Sequence, residues 1–132
     1  MEKTLIVTND FPPRPGGIQS FVHNMALRLD PGRVVVYAST WKDGTEAARF
    51  DADQPFPVVR DRSKMLLPTR RVTHRATALL REHHCTSVWF GAAAPLGLMA
   101  PALRKAGARR LVATTHGHEA GWAQLPASRQ LL

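Results

Sequence analysis

TLIVTNDFPPRPGGIQSFVHNMALRL, residues 4–29, decides the fold. Thr4 to Thr8 is a β-branched apolar run, which predicts a strand buried on both faces. The following Asn9-Asp10-Phe11-Pro12-Pro13-Arg14-Pro15-Gly16-Gly17 is too rich in proline and glycine for helix or strand. Ile18, Phe21, Val22, Met25, Ala26 and Leu29 then recur at helical spacing, with Gln19, Ser20, His23, Asn24 and Arg28 on the opposite face. Asp30-Pro31-Gly32 stops this helix, since proline cannot continue it and glycine permits the turn. Strand, glycine-rich turn and amphipathic helix in that order open an α/β unit.

The rest of the chain repeats the alternation. Arg33 to Ala38 predicts a second buried strand, and residues 39–55, polar and without period, predict a loop. Phe56 to Arg60 predicts a third strand, at an edge because of Pro57. Arg70 to His84 predicts a helix with Val72, Ala76, Leu79 and Leu80 on its inner side. Ser87 to Phe90 predicts a fourth strand, and Leu96, Met99, Ala100 and Leu103 mark a helix ended by Gly107. Leu111 to Thr115 predicts a fifth strand. The expected fold class is therefore α/β, a Rossmann-like parallel sheet with helices on both faces. Right-handed crossovers give the strand order 3-2-1-4-5.

Composition narrows the partners. At 44% hydrophobic and 21% charged, the 132 residues suit one globular core. The formal net charge of +8 favours phosphates and anionic surfaces. The excess is local: Arg60, Arg62, Lys64, Arg70, Arg71, Arg75 and Arg81 are opposed in that stretch only by Asp61. The stretch lacks interleaved aromatics, so we expect no nucleic-acid partner. Cys85 is the single cysteine, which excludes an internal disulfide and suits a reducing compartment. Met1-Glu2-Lys3 runs straight into strand-like residues, and no apolar run reaches membrane-spanning length. We expect a cytoplasmic protein, peripheral at the inner face of the cell membrane.

Topology locates the chemistry. Ligands of such sheets bind beyond the carboxyl ends of the strands, where strand order reverses. Here that point falls between strands one and four, among the loops holding Asn9 to Gly17, Gly91 to Pro95, and His116 to Glu119. Gly16-Gly17 opens a helix, so its bare N–H groups suit a phosphate or carboxylate; equally, two glycines make a tight turn. There is no G-x-G-x-x-G and no P-loop. His116 ends a buried strand at the binding edge, where it can hydrogen-bond a sugar hydroxyl or move a proton, or simply bond to backbone. His116-Gly117-His118 also resembles the start of the metallo-β-lactamase motif, but that motif requires Asp and His where this chain has Ala120 and Gly121. We therefore expect no metal site. His83 and His84 precede Cys85 at a helix end, where neighbouring side chains point apart. The basic helix offers Arg70, Arg71, Arg75 and Arg81 to anionic lipid, or presents them to solvent as an ordinary outer face.

Asn9-Asp10-Phe11-Pro12-Pro13-Arg14-Pro15-Gly16-Gly17-Ile18 after strand one resembles the opening of retaining, GT-B fold glycosyltransferases of family 4. Thr115-His116-Gly117-His118-Glu119, with Gly121-Trp122, is similar to the phosphatidylinositol mannoside mannosyltransferase branch. The likeness runs from Thr4 to the end. It implies two Rossmann-like domains facing a cleft, with residues 1–132 in the N-terminal, acceptor-side one. It places Gly16 and Gly17 at the donor diphosphate and His116, as the catalytic residue, near the transferred sugar. It places Asn9, Asp10, Arg14, His118 and Glu119 around the acceptor, and Arg70, Arg71, Arg75 and Arg81 on the membrane. The implied reaction moves mannose from GDP-mannose to a phosphatidylinositol-type lipid with retention. GDP-mannose is a substrate, and no cofactor is implied.

The family's E-x7-E motif and donor-phosphate Arg and Lys belong to the C-terminal domain, which we expect to be absent from this truncated chain or carried on a separate one. Half a cleft cannot orient both substrates, so no transfer is expected from these residues alone. Two alternatives stand beside this reading: a stand-alone module binding anionic lipid or another ligand, and a metallohydrolase built on His116 and His118.

Overall fold

The computed structural model describes residues 2–115. β1 (Thr4–Thr8) lies at the centre of a five-stranded sheet ordered β3-β2-β1-β4-β5. β2 (Val34–Ala38) and β4 (Ser87–Phe90) flank it, and β3 (Val58–Arg60) and β5 (Arg110–Ala113) lie outside them. Every pairing is parallel, so Leu5 stands level with Val35 on one side and Val88 on the other. The expected order holds because each strand returns through a crossover: α1 (Gly17–Leu27), α2 (Thr45–Ala52), α3 (Arg70–Glu82) and α4 (Ala100–Ala106).

Alternate residues of β1 feed two cores, as a period of two requires. Leu5 and Val7 pack with Val35, Tyr37, Val88 and Phe90 against α3 and α4, through Val72, Ala76, Leu79, Leu80 and Leu103. Ile6 faces the other way, with Val34, Val36 and Ala38, against Val22 and Ala26 of α1. Each fully buried Leu, Val or Phe contributes about 1.5–3 kcal/mol by leaving water, and this holds the sheet edge that carries the site in place.

Residues 39–55 are the main correction: the expected loop contains α2. Only Ala47 of this helix is fully buried, so it carries almost no apolar period to read. Its anchor is Phe50, whose ring meets Phe11 at 5.8 Å and His23 at 4.9 Å. The Phe11 ring, 1% exposed, thus pins the proline-rich turn to both α1 and α2. Smaller differences occur at element ends. α1 stops at Leu27, and Asp30 caps a 3-10 turn at Pro31–Arg33 by accepting the Gly32 N–H. The fourth crossover begins as a 3-10 turn, Leu96–Met99, before α4. β5 is Arg110–Ala113 rather than Leu111 to Thr115.

Candidate functional site

The loop after β1 is held by its own polar side chains. Thr8, fully buried, accepts the Asp10 N–H on its hydroxyl at 2.8 Å. Asn9 donates its amide to the Leu66 carbonyl at 3.0 Å and accepts the Leu66 N–H at 2.6 Å. Asn9 therefore ties this loop to the one after β3. Asp10 accepts the side-chain amide of Gln19 at 3.2 Å. Both residues expected at an acceptor pocket thus have architectural partners, although Asn9 also borders the cavity described below.

Gly16 and Gly17 differ. Gly16 has φ +147°, and a Cβ there would overlap Gln19 Oε1. A Cβ on Gly17 would meet nothing within 4 Å. Gly17 begins α1, whose first intrahelical bond runs from the Ser20 N–H to the Gly16 carbonyl. No side chain caps this helix and its first turn holds no acid, so the N–H groups of Gly17, Ile18 and Gln19 have no intrahelical acceptor. The sequence reading of an anion-compatible helix start has a geometric basis at Gly17, while Gly16 is demanded by the turn.

At the crevice between β1 and β4, Gly91 lies so close to Thr8 and Val22 that a Cβ would come within 2.5 Å of Thr8 Oγ1. Close packing fills that point. A cavity of about 370 Å³ opens instead over the carboxyl ends of β1, β2 and β3. Asn9, Phe11 and Arg14 come from the first loop, Ser39 to Lys42 from the second, and Arg60, Lys64 and Met65 from the third. Arg60 is spent on structure: it grips Asp51 of α2 with two bonds of 3.0 and 2.8 Å and donates to the Ser39 and Pro12 carbonyls. Arg14 and Lys64 form no ion pair with a described residue, and Lys42 has only an exposed partner, Glu46, at 3.8 Å. The Trp41 ring lies 5.9 Å from the Arg14 guanidinium and 5.3 Å from the Lys42 ammonium. Among the described residues, no carboxylate lines the cavity.

Behind it, Asp61 is the centre of a buried network. Its carboxylate accepts two bonds from Arg71, at 2.7 and 2.9 Å, the Tyr37 hydroxyl at 2.8 Å, and the Ser63 N–H and hydroxyl. The Arg71 guanidinium, helped by Ser63 and Tyr37, outweighs desolvation and holds the Asp61 carboxyl well below the usual carboxylate range. Burial and the adjacent Asp61 push the Tyr37 phenol far up. Arg71 is therefore committed to joining α3 to the loop after β3. Arg70, Arg75 and Arg81 remain exposed along α3. Arg62, Arg71, His74 and Arg75 surround a second, shallower hollow of about 380 Å³ at Asp61.

His116, His118 and Glu119 lie outside the described residues. Among the described residues, no group of three His, Cys, Asp or Glu side chains comes together. No described helix is long and apolar enough to cross a membrane. Sequence reading did not single out Trp41 or Lys42, and it named Lys64 only within the basic stretch. Their only signal was a tryptophan in a polar loop and a basic run after β3.

Comparison with known proteins bears on this geometry. The family model described as Glycosyltransferase Family 4 matches residues 15–132. A GDP-mannose-dependent monoacylated alpha-(1-6)-phosphatidylinositol monomannoside mannosyltransferase of Corynebacterium glutamicum is 48% identical over 130 residues, covering 98% of this chain and 34% of that protein. GDP-mannose-dependent alpha-(1-6)-phosphatidylinositol monomannoside mannosyltransferases of Mycolicibacterium smegmatis and Mycobacterium tuberculosis are each 48% identical, covering 97% and 100% of this chain. The chain spans about a third of the length of these curated relatives, 34% and 35% for the latter two.

Proposed function

The chain belongs to glycosyltransferase family 4, and from that premise we propose that it forms the acceptor-side part of a retaining mannosyltransferase. The donor is GDP-mannose and the acceptor a phosphatidylinositol mannoside, taken from the inner face of a membrane. The observation that carries this reading is the near-complete coverage of the chain by its likeness to mannosyltransferases of that substrate class. The geometry agrees with it. The open start of α1 at Gly17 and the cationic cavity lie at the same sheet edge, as two ligands that must meet require.

The roles divide by residue. N–H groups at the start of α1 stabilise the negative charge that develops on the departing diphosphate. Gly17 leaves room for that approach, and Gly16 shapes the turn. The family resemblance assigns His116 to the transferred sugar, and His118 and Glu119 to the acceptor. A donor-binding region, in the same chain or another, completes the cleft. Met65, which lines the cavity, and Leu67 are 57% and 46% exposed, and Arg62, Lys64 and Arg70 flank them in the sequence. Exposed apolar side chains next to cations in the sequence suit an anionic bilayer surface, and the exposed Arg70, Arg75 and Arg81 extend that contact along α3.

Flotation with vesicles tests the acceptor-side assignment. We expect the protein to bind phosphatidylcholine vesicles doped with phosphatidylinositol mannoside, without GDP-mannose, and to leave pure phosphatidylcholine alone. Tight binding of GDP-mannose together with indifference to the doped vesicles would overturn the assignment.

A further inference from the structure

Among the described strands β5 is outermost and pairs only with β4, so its carboxyl end is held from one side. Segments held by few bonds open first. The last ladder bond here runs from the Thr114 N–H to the Phe90 carbonyl, at 3.2 Å. A side chain reinforces it: the Trp89 indole N–H donates to the Thr114 hydroxyl at 2.6 Å. Trp89 in turn meets the Phe21 ring of α1 edge-on, with centroids 6.4 Å apart and planes at 76°. Phe21 lies about one helical turn beyond Gly17. One run of contacts thus joins the uncapped start of α1 to the end of β5.

We propose that Trp89 is a positioning residue for His116. The indole, braced by Phe21, fixes Thr114, and Thr114 fixes where the chain leaves β5, two residues before His116. This rests on the proposed function, in which the family resemblance assigns His116 to the transferred sugar and the start of α1 faces the departing diphosphate. It adds the contact that holds those two in register. Sugar and diphosphate part across a single bond, and about 1 Å of misplacement costs on the order of 10²-fold in rate. Packing alone does not call for this bond. Trp89 lies at the margin of the core of Ile6, Val22 and Val36, where a phenylalanine would need no acceptor. A half-buried indole N–H does need one, and the Thr114 hydroxyl supplies it. Val112, level with Trp89 and on the same face, is 43% exposed. Burial on that face therefore holds β5 weakly, and the Trp89 bond carries more of the hold.

Nuclear magnetic resonance of the 132-residue chain tests the anchor directly. The reporters are the Trp89 indole N–H and the His116 ring, assigned with Trp89→Phe and His116→Gln. Thr114→Val keeps the shape and removes the acceptor, and Thr114→Ser restores it. We expect Thr114→Val and Trp89→Phe to move or broaden the His116 ring signals, and Thr114→Ser to return them. The ring of His23, packed on Phe11 and Phe50, should keep its signals throughout. His116 signals indifferent to Thr114→Val, in a spectrum whose indole signal shows the bond lost, would overturn the proposal. The catalytic consequence is read with this chain grafted in place of the matching residues of the Corynebacterium glutamicum relative. There Thr114→Val should lower kcat for mannose transfer about tenfold with KM for donor and lipid unchanged, as for a group misplaced in the transition state. A raised KM at full kcat would overturn the positioning role. A graft that transfers nothing with Thr114 intact removes the acceptor-side reading, while the spectra still judge the anchor.

Discussion

At Gly16 the backbone lies at φ +147° and a side chain would overlap Gln19 Oε1, which is itself 7% exposed and bonded to Asp10 through its amide. Gly16→Ala should therefore destabilise the protein by about 1–3 kcal/mol. Gly17→Ala meets open space and should shift stability by less than about 0.5 kcal/mol, so urea unfolding of the two variants separates a turn requirement from a ligand requirement. Asp61 gives a pH signature. Its folded pKa lies below the unfolded value, chiefly through Arg71, so its stabilising contribution is complete above the unfolded pKa of about 4 and is lost as pH falls toward the folded one. Asp61→Asn should lower stability at pH 7 and flatten the decline between about pH 4 and 2, as followed by unfolding midpoints. An acid limb unchanged by the substitution would contradict the network's role.

α3 shows how one element serves two ends. Thr69 caps it by accepting the Val72 N–H at 3.2 Å, its inner stripe builds the core, and Arg71 ties it to Asp61. Arg75→Glu with Arg81→Glu should weaken binding to anionic vesicles by about tenfold or more while leaving the unfolding midpoint in place. Arg71→Gln should do the reverse, lowering the midpoint more than the binding. The strands, their order and the stripe on α3 were readable in the sequence because buried parallel strands are continuous Val and Ile runs and α3 keeps its period. α2 was not, because an eight-residue helix anchored through a single Phe leaves no pattern. The cavity was unreadable for a different reason. Arg14, Trp41 and Lys64 come from three loops, and the bonds of Thr40, Asn9 and Arg60 across those loops bring them together.

For the whole molecule, a net charge of +8 concentrated after β3 predicts membrane association that fades with salt over the Debye range, as surface electrostatics must. The sheet edge carries both an uncapped helix start and a cationic cavity, and on the proposed function both act only if a donor is presented across them. The measurement that tests this most directly replaces the matching 130 residues of the Corynebacterium glutamicum relative with this chain and assays transfer of labelled mannose from GDP-mannose to phosphatidylinositol monomannoside. We expect the chimera to make the mannosylated lipid, and to lose that activity with Lys42→Gln and Lys64→Gln in place. A folded, membrane-bound chimera that binds GDP-mannose yet transfers nothing to the lipid would contradict the assignment of these residues to the acceptor side.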